Sequence, residues 1–247
     1  MSYRFLPGLA LSLSLALCCK PKVEFMVGVS PDAVILCFHD IGRVGRYAIT
    51  FDTFSGILDD LKPYEVVSAG EWLRTPDANT TRKQVVLTFD DGYASHRDIV
   101  LPELRKRGYG ATFFFYNEQL LGDKKWRAAL KQLPAAYDIG SHSWSHSSLG
   151  EAPGAELFRE LYLSREHLAQ LAGRPTQLFA WPYGSWSEPS AGAARAAGFS
   201  YLFSVDYRVA RAADIAKIIP RFTVMGSGSR EQVRSILAEF ERRMPDR

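Results

Sequence analysis

The sequence predicts an α/β fold in which helices surround a parallel sheet that curls into a closed or nearly closed barrel. Short apolar runs alternate with segments of helical periodicity along the chain. About seven or eight such units fit into one domain of a 247-residue chain. Polar residues with reactive side chains follow several of the apolar runs. Sites collect at these strand ends in such barrels, so the same pattern predicts where function lies.

The elements follow one another in regular order. The runs that predict strands cover 34–38, 64–67, 84–89, 111–116, 137–141, 177–181, 201–205 and 218–224. The segments that predict helices cover 51–62, 70–73, 98–107, 126–133, 155–172, 190–197 and 231–242. Gly108, Gly173 and Gly198 follow three of these helices, as glycine commonly does at a helix end. Strands that alternate with helices in this way favour parallel pairing.

The composition excludes several classes of function. Lys and Arg number 30 against 27 Asp and Glu, and the net charge of +3 is too small to indicate a nucleic acid or an acidic partner. With 47% hydrophobic residues the chain is an ordinary globular protein, which we expect to be a monomer. Beyond the N-terminal segment, Cys37 is the one remaining cysteine, so no internal disulfide is expected. Its place in an apolar run indicates a small buried hydrophobe and not a reactive thiol.

Residues 1–19 are interpreted as an export signal. Arg4 gives a positive start, and 5–17 form an apolar stretch that is shorter than the roughly 20 residues a spanning helix needs. Cys18 and Cys19 close it and resemble a bacterial lipoprotein signal, in which a cysteine at the cleavage site carries a lipid anchor. A plain cleaved signal is the alternative. Either interpretation predicts export to the periplasm or cell envelope, followed by one domain over 20–247.

Two motifs carry candidate metal ligands. Asp90 and Asp91 directly follow one predicted strand, and His142 and His146 follow another. Asp91 and the two histidines would form a nitrogen, nitrogen, oxygen set that suits zinc or a similar divalent ion and leaves positions open. Asp90 is then spare, and a carboxylate beside a metal can accept a proton from an attacking water. A capping role for the Asp pair is the weaker explanation, because the two motifs occur together.

Three motifs resemble the polysaccharide deacetylase family, also called carbohydrate esterase family 4 or the NodB homology domain. They are Thr88-Phe89-Asp90-Asp91-Gly92, Ser141-His142-Ser143-Trp144-Ser145-His146 and Phe179-Ala180-Trp181-Pro182-Tyr183-Gly184, in the family's order. The resemblance implies a distorted, incomplete (β/α) barrel of the NodB type. It also implies an enzyme that uses one divalent metal ion, with zinc as our expectation and cobalt, nickel or iron as alternatives.

The resemblance assigns roles to individual residues. Asp91, His142 and His146 would bind the metal, and Asp90 would be the general base. The backbone N–H of Tyr183, the residue after Pro182, would help to bind the oxyanion of the tetrahedral intermediate.

Two departures from the family pattern point to one branch. Ala180 stands where many members have an arginine, and no histidine follows His167 to serve as the late general acid. Both features resemble the branch that acts on poly-β-1,6-N-acetylglucosamine of biofilms, where an early histidine replaces the late one. His39 fits that early element and would protonate the departing amine. The alternative is a structural histidine at the rim of the barrel.

Several further side chains are candidates for supporting roles. Arg221 would supply the guanidinium that orients Asp90, although an arginine at a strand end is often only an ion-pair partner. We expect His96 and His167 on helix surfaces, without a role. Aromatic faces pack on sugar rings, and the candidates for such a groove are Trp144, Trp181, Tyr183 and Trp186.

The sequence therefore predicts an exported, metal-dependent deacetylase whose partner is a polysaccharide of the envelope or of a biofilm. It would remove N-acetyl groups from N-acetylglucosamine units. Two alternatives remain open: a deacetylase of peptidoglycan or chitin oligomers, and a catalytically weak glycan-binding relative with the same fold.

Overall fold

The computed structural model describes residues 32–75 and 83–243, so the predicted signal segment 1–19 lies outside the described residues. Ten strands occur in these ranges. They are β1 (Ala33–Phe38), β2 (Asp40–Ile41), β3 (Ala48–Ile49), β4 (Glu65–Val67), β5 (Gln84–Phe89), β6 (Ala111–Phe115), β7 (Tyr137–Ser141), β8 (Leu178–Ala180), β9 (Tyr201–Phe203) and β10 (Phe222–Thr223).

Helices connect these strands. They are α1 (Phe51–Asp60), α2 (Ala69–Arg74), α3 (Leu101–Arg107), α4 (Asn117–Gly122), α5 (Lys124–Leu130), α6 (Gly154–Leu157), α7 (Ser164–Ala172), α8 (Glu188–Ala196) and α9 (Ser229–Arg243). A π-helical turn, His96–Val100, precedes α3, and a second, Phe158–Leu163, joins α6 to α7. Among residues 32–75 and 83–243, no helix combines the length and apolar character that a membrane crossing requires.

The main sheet has eight strands and confirms the predicted barrel. Its order is β10-β1-β5-β6-β7-β8-β9, with β4 also paired to β5, and every pair is parallel. Between β9 and β10 the backbone pairing is limited to a few hydrogen bonds around Ile219. There the Ser204 N–H donates to the Ile219 carbonyl at 2.9 Å, and the Ile219 N–H donates to the Leu202 carbonyl at 2.7 Å. The barrel is therefore distorted and incomplete, with helices on its outside.

The register of β1 on β5 brings the ends of two predicted motifs together. The pairing runs without interruption from Ala33 opposite Gln84 to Phe38 opposite Phe89. The Asp90 N–H continues the ladder by donating to the Phe38 carbonyl at 2.9 Å. His39 and Asp90 are consequently neighbours at the carboxyl edge of the sheet, although 51 positions (90 minus 39) separate them along the chain.

Both faces of the central strands are buried, which explains why they are continuous apolar runs. Val34, Leu36 and Phe38 pack in a cluster with α1, α3 and α9. Ala33 and Ile35 point the other way, into a smaller cluster formed mainly by strand residues. Such burial contributes about 1.5–3 kcal/mol for each large aliphatic side chain. The sheet is thus a rigid base for the residues at its edge.

The predicted helices and strands differ from the structure mainly at irregular points. The predicted helix 126–133 begins earlier, at Lys124, where the Asp123 side chain caps it, and helix α4 before it was not predicted. The predicted strand 218–224 shrinks to β10, because Pro220 has no N–H to donate to a ladder. The predicted helix 155–172 is found, but its middle is the π-helical turn Phe158–Leu163.

Candidate active site

The carboxyl edge of the sheet gathers the predicted site residues. His39, Asp90, His142 and Tyr183 lie just beyond β1, β5, β7 and β8, and Arg221 lies directly before β10. The strands are parallel, so their carboxyl ends meet on one side of the barrel. A cavity of about 440 Å³ opens there.

The candidate ligand atoms converge on one point. Asp91 Oδ1 lies 3.1 Å from His146 Nε2 and 3.5 Å from His142 Nε2. One donor atom from each of the three residues lies within 4.8 Å of the others. Two imidazole nitrogens and a carboxylate oxygen are ligands that zinc and similar divalent ions accept.

The hydrogen bonds of the histidines direct their Nε2 atoms toward Asp91. His142 Nδ1 donates to the Ala180 carbonyl at 2.8 Å, so His142 Nε2 carries a lone pair when the ring is neutral. His146 Nδ1 lies 3.0 Å from the hydroxyl of Tyr183. Each ring is therefore held by its Nδ1 atom, which leaves Nε2 to serve as a ligand.

The residues fit a divalent cation. Asp91 Oδ1 is buried and has no hydrogen bond of ordinary geometry, although two imidazole nitrogens face it. The lone pairs of His142 Nε2 and Asp91 Oδ1 repel each other unless a cation lies between them. Burial acts to lower the pKa of His142, but Asp90 and Asp91 outweigh it and raise the pKa above its ordinary value. A proton or a metal ion is thus favoured at this position.

The backbone at the site is strained. In the described part of the chain, the non-glycine residues with positive φ are Asp91 (73°), Ser143 (78°), His146 (65°) and Tyr183 (58°). Such conformations cost roughly 1–3 kcal/mol each and persist where surrounding contacts enforce them. Next to Asp91, Gly92 has a φ of 68°, and a Cβ there would lie 2.6 Å from the Phe115 ring. The motif glycine is therefore required by both conformation and space.

Asp90 forms a buried pair with Arg221. The guanidinium donates from Nη1 to Oδ1 and from Nη2 to Oδ2, both at 2.8 Å, and its Nε donates to the Ser204 carbonyl at 3.0 Å. The Cys37 thiol donates to Asp90 Oδ2 at 3.3 Å. Burial acts to raise the pKa of Asp90, but the Arg221 charge outweighs it and brings the pKa down to about 2. Asp90 is therefore a carboxylate at any pH above about 4.

A second group of donor atoms is less suited to a cation. Cys37, His39 and Asp90 also bring their donor atoms within 4.8 Å of one another. Burial raises the pKa of the Cys37 thiol well above its ordinary value, so it is not a thiolate. The Arg221 guanidinium donates one bond to each oxygen of Asp90, and its positive charge repels a cation at this position. These contacts favour the Asp91, His142 and His146 set as the metal site.

The aromatic lining differs in part from the prediction. Trp181 and Tyr183 line the cavity, whereas Trp144 packs on the His167 ring at 5.3 Å and Trp186 packs against a hydrophobic cluster. Exposed Tyr47 and Tyr207, which were not predicted, line the mouth. Both are single aromatic residues outside the three motifs, and the local sequence carries no signal for them.

The surface position predicted for His96 is wrong. His96 is completely buried, and its Nε2 lies 2.7 Å from the carbonyl oxygen of His39. Burial lowers its pKa to about 4, so the ring is neutral and donates through Nε2. His96 therefore holds the backbone of His39, although it does not line the cavity.

The fold and the site together indicate a class of protein: a (β/α) barrel with a candidate site for a divalent metal ion at its strand ends. Two histidines and one carboxylate form the site, and a second carboxylate lies beside it. The polysaccharide deacetylase family model matches residues 77–202, and the chain belongs to this family. The three sequence motifs resemble the same family.

The relatives share modest identity. Peptidoglycan-N-acetylglucosamine deacetylase PgdA of Listeria monocytogenes is 27% identical over 106 residues, which are 42% of this chain and only 22% of PgdA. The structure of IcaB from Ammonifex degensii is 25% identical, with a TM-score of 0.71 over 83% of this chain and 96% of IcaB. The deacetylase PplD of Streptococcus pyogenes has a TM-score of 0.73 at 19% identity, over 83% of this chain and 97% of PplD.

Proposed function

We propose that this protein is a metal-dependent hydrolase that removes N-acetyl groups from N-acetylglucosamine units of an envelope or biofilm polysaccharide. The observation that carries the proposal is the buried Asp90 carboxylate, held by Arg221 next to the candidate ligands Asp91, His142 and His146. A divalent cation bound by those three residues would polarise the acetamide carbonyl and make the attacking water more acidic.

Asp90 has the properties of a general base. It is ionised, it is fixed on one side by Arg221, and its Oδ2 lies 3.9 Å from His142 Nε2. That oxygen faces the ligand set, where a water between protein and substrate would lie. Asp90 accepts a proton from this water as the water oxygen bonds to the carbonyl carbon.

The turn after β8 provides the oxyanion contact. Pro182 fixes its own φ and begins a tight turn in which Tyr183 adopts a left-handed conformation. The next two N–H groups bond within this turn, from Gly184 to the Trp181 carbonyl at 2.9 Å and from Ser185 to the Pro182 carbonyl at 3.0 Å. The rigid turn presents the Tyr183 N–H to the developing oxyanion, where such a donor is worth several kcal/mol (about 2.7–4).

His39 delivers the proton that lets the amine leave. Burial lowers the pKa of His39, so the ring is neutral before the reaction. A donor atom of His39 lies within 4.8 Å of an Asp90 oxygen. Both residues line the cavity, so a proton taken from water by Asp90 would pass through one bridging water to His39 and then to the amine as the carbon–nitrogen bond breaks.

Replacing His39 with alanine is expected to lower kcat by roughly 10²–10⁴-fold, because the leaving amine loses its proton donor. Bound metal should stay at the wild-type level, since His39 is outside the ligand set. Acetate release and elemental analysis of the same preparation check both points. His167→Ala is the matched control, because His167 lies against Trp144 away from the cavity. A drop in metal content equal to the drop in activity would show that His39 acts through the metal site.

The polymer is the less constrained part of the proposal. Poly-β-1,6-N-acetylglucosamine is favoured by the third motif and by the early histidine. Peptidoglycan is a second candidate, because the relative PgdA is named for it. Exposed rings of Tyr47, Tyr183 and Tyr207 at the cavity mouth offer faces for pyranose rings in either polymer. Both polymers lie outside the cytoplasm, which agrees with our proposal that the protein is exported, with or without a lipid anchor.

Acetate release from a panel of glycans tests the function. The panel contains β-1,6-N-acetylglucosamine oligomers, chitin oligomers and peptidoglycan, each with and without a chelator. We expect the highest kcat/KM on the β-1,6 oligomers and loss of activity with the chelator, restored by added Zn²⁺ or Co²⁺. A higher kcat/KM on peptidoglycan or chitin oligomers would contradict the proposed polymer and identify that glycan as the substrate instead. Binding without acetate release from any glycan, in metal-loaded protein, would establish the glycan-binding alternative.

A further inference from the structure

The loop from His142 to His146 carries two of the candidate metal ligands, and each of its five N–H groups is bonded. The His142 N–H donates to the Phe115 carbonyl at 2.8 Å. The Ser143 N–H donates to Ser141 Oγ at 3.3 Å, and the His146 N–H donates to Ser143 Oγ at 2.9 Å. Two N–H groups at the tip of the loop, those of Trp144 and Ser145, need an acceptor from elsewhere.

Glu160 supplies that acceptor. One carboxylate oxygen, Oε2, accepts from the Trp144 N–H at 3.0 Å and from the Ser145 N–H at 2.9 Å. The other, Oε1, accepts from the Ser145 hydroxyl at 2.8 Å. The Glu160 side chain is completely buried. A fully buried glutamate is rare in proteins unless partner groups bind its carboxylate. Burial acts to raise its pKa, but the bonds from Ser145, Arg159 and Trp144 outweigh it and keep the pKa below its ordinary value.

The carbonyl groups of the same loop are held from the opposite side. The Asn117 N–H donates to the Ser143 carbonyl at 3.2 Å, and the Glu118 N–H donates to the Trp144 carbonyl at 3.0 Å. These donors are the first N–H groups of α4, which have no partner within the helix. The loop is therefore fixed between a helix end and a carboxylate, and each of them satisfies two adjacent backbone groups.

This clamp lies where the chain is strained. Ser143 and His146 both have positive φ, on either side of the tip that Glu160 holds. Without the carboxylate, two partly buried N–H groups would lose their acceptor, at a cost of about 1 kcal/mol each, the lower end of the range for buried groups. The loop would then relax, and the distance between His142 Nε2 and His146 Nε2 would no longer be set.

We propose that Glu160 is a positioning residue for the metal site: it fixes the loop that carries both histidine ligands and so sets metal affinity and coordination geometry without binding the ion. This inference rests on the proposed metal-dependent function and deepens it. The carboxylate of Glu160 acts on the loop through the backbone N–H groups of Trp144 and Ser145 and through the Ser145 hydroxyl, and it touches neither histidine.

The test is a titration of metal-free protein with Zn²⁺ against a competing chelator. Glu160→Gln is expected to weaken Zn²⁺ binding by about 10–100-fold, because a neutral amide oxygen accepts the loop N–H bonds more weakly than a carboxylate, and the NH₂ group in place of Oε1 would face the Arg159 guanidinium. Glu103→Gln is the matched control, since Glu103 is a buried helical glutamate paired with Lys106 and Arg107 on another part of the surface. We expect wild-type affinity in the control.

Cobalt spectra separate positioning from a purely structural role. The visible absorption bands of bound Co²⁺ depend on coordination geometry, and Glu160→Gln should shift them. Glu160→Asp is the second variant, to be used if the first does not fold. It keeps the charge but is shorter by one methylene, and it should also weaken Zn²⁺ binding. A lowered melting temperature in folded variants with unchanged Zn²⁺ affinity and an unchanged Co²⁺ spectrum would overturn the proposal.

These measurements do not depend on substrate. Wild-type protein that binds Zn²⁺ but releases no acetate contradicts the proposed enzyme function and leaves the role of Glu160 intact. Wild-type protein that binds no divalent metal contradicts both. Wild-type activity that requires metal, with equal Zn²⁺ affinity in Glu160→Gln, contradicts only the role of Glu160.

Discussion

Replacing Asp90 with asparagine is expected to reduce kcat by about 10³-fold or more while metal stays bound. The variant keeps the shape of the side chain and removes the group that accepts the water proton. Asp91, His142 and His146 are untouched, so elemental analysis should find the wild-type amount of metal. Acetate release under saturating substrate measures the effect, and it should appear in kcat more than in KM.

The control must separate loss of the base from loss of a carboxylate that is paired with arginine. Asp60→Asn serves this purpose, because Asp60 accepts a forked pair of bonds from Arg230 at 2.7 and 2.9 Å far from the cavity lining. We expect Asp60→Asn to be fully active. Circular dichroism should show that Asp90→Asn is folded, since Arg221 keeps one oxygen acceptor. Activity of Asp90→Asn within a few-fold of wild type would rule out Asp90 as the base.

Replacing Arg221 with methionine is expected to destabilise the fold by about 3–5 kcal/mol, because it leaves a buried carboxylate without its partner. In the wild type, the pKa of Asp90 is about 2, below the ~3.9 of an unfolded chain. The pair therefore contributes stability that is present above pH 4 and is lost as the pH falls toward 2. In the variant, burial without the guanidinium raises the pKa of Asp90. The charged carboxylate therefore destabilises the fold at pH 7, and protonation at lower pH removes most of this cost.

The difference in unfolding free energy between the wild type and Arg221→Met should consequently shrink as the pH falls from 7 to 4. Urea unfolding of metal-free protein at several pH values measures it. Arg221→Lys should recover only part of the loss, because an ammonium cannot donate to both oxygens of Asp90 and to the Ser204 carbonyl. Arg230→Met is the control for a partly exposed pair. If the difference in unfolding free energy between the wild type and Arg221→Met does not change with pH, Arg221 does not stabilise the charged form of Asp90.

Regular elements were predictable from local pattern. β5 and β7 begin and end at the predicted residues, and β5 is a mostly apolar run bounded by polar residues. The helices before Gly108 and Gly173 also end as predicted, and both glycines adopt the left-handed conformation, with φ of 68° and 69°. Such features depend on a few neighbouring residues and can be inferred without the tertiary fold.

Short and irregular elements were not predictable in the same way. Helix α4 has six residues, too few to show a helical period, and its first N–H groups bond to the loop that carries the histidines. The burial of His96 depends on rings from separate elements, such as Phe89 and Phe113. Each of these features is determined by contacts between segments that lie far apart in the sequence.

The sequence by itself determined the alternation of strands and helices, the motifs at the strand ends and the family. Tertiary structure decided which side chains meet: Arg221 reaches Asp90 across 131 positions because β10 and β5 both pair with β1. It likewise placed Glu160 beneath the loop of the two histidines and Tyr47 and Tyr207 at the cavity mouth. The physical reason is that strand order and loop packing arise from the free energy of the whole fold, whereas periodicity and capping report only on neighbouring residues.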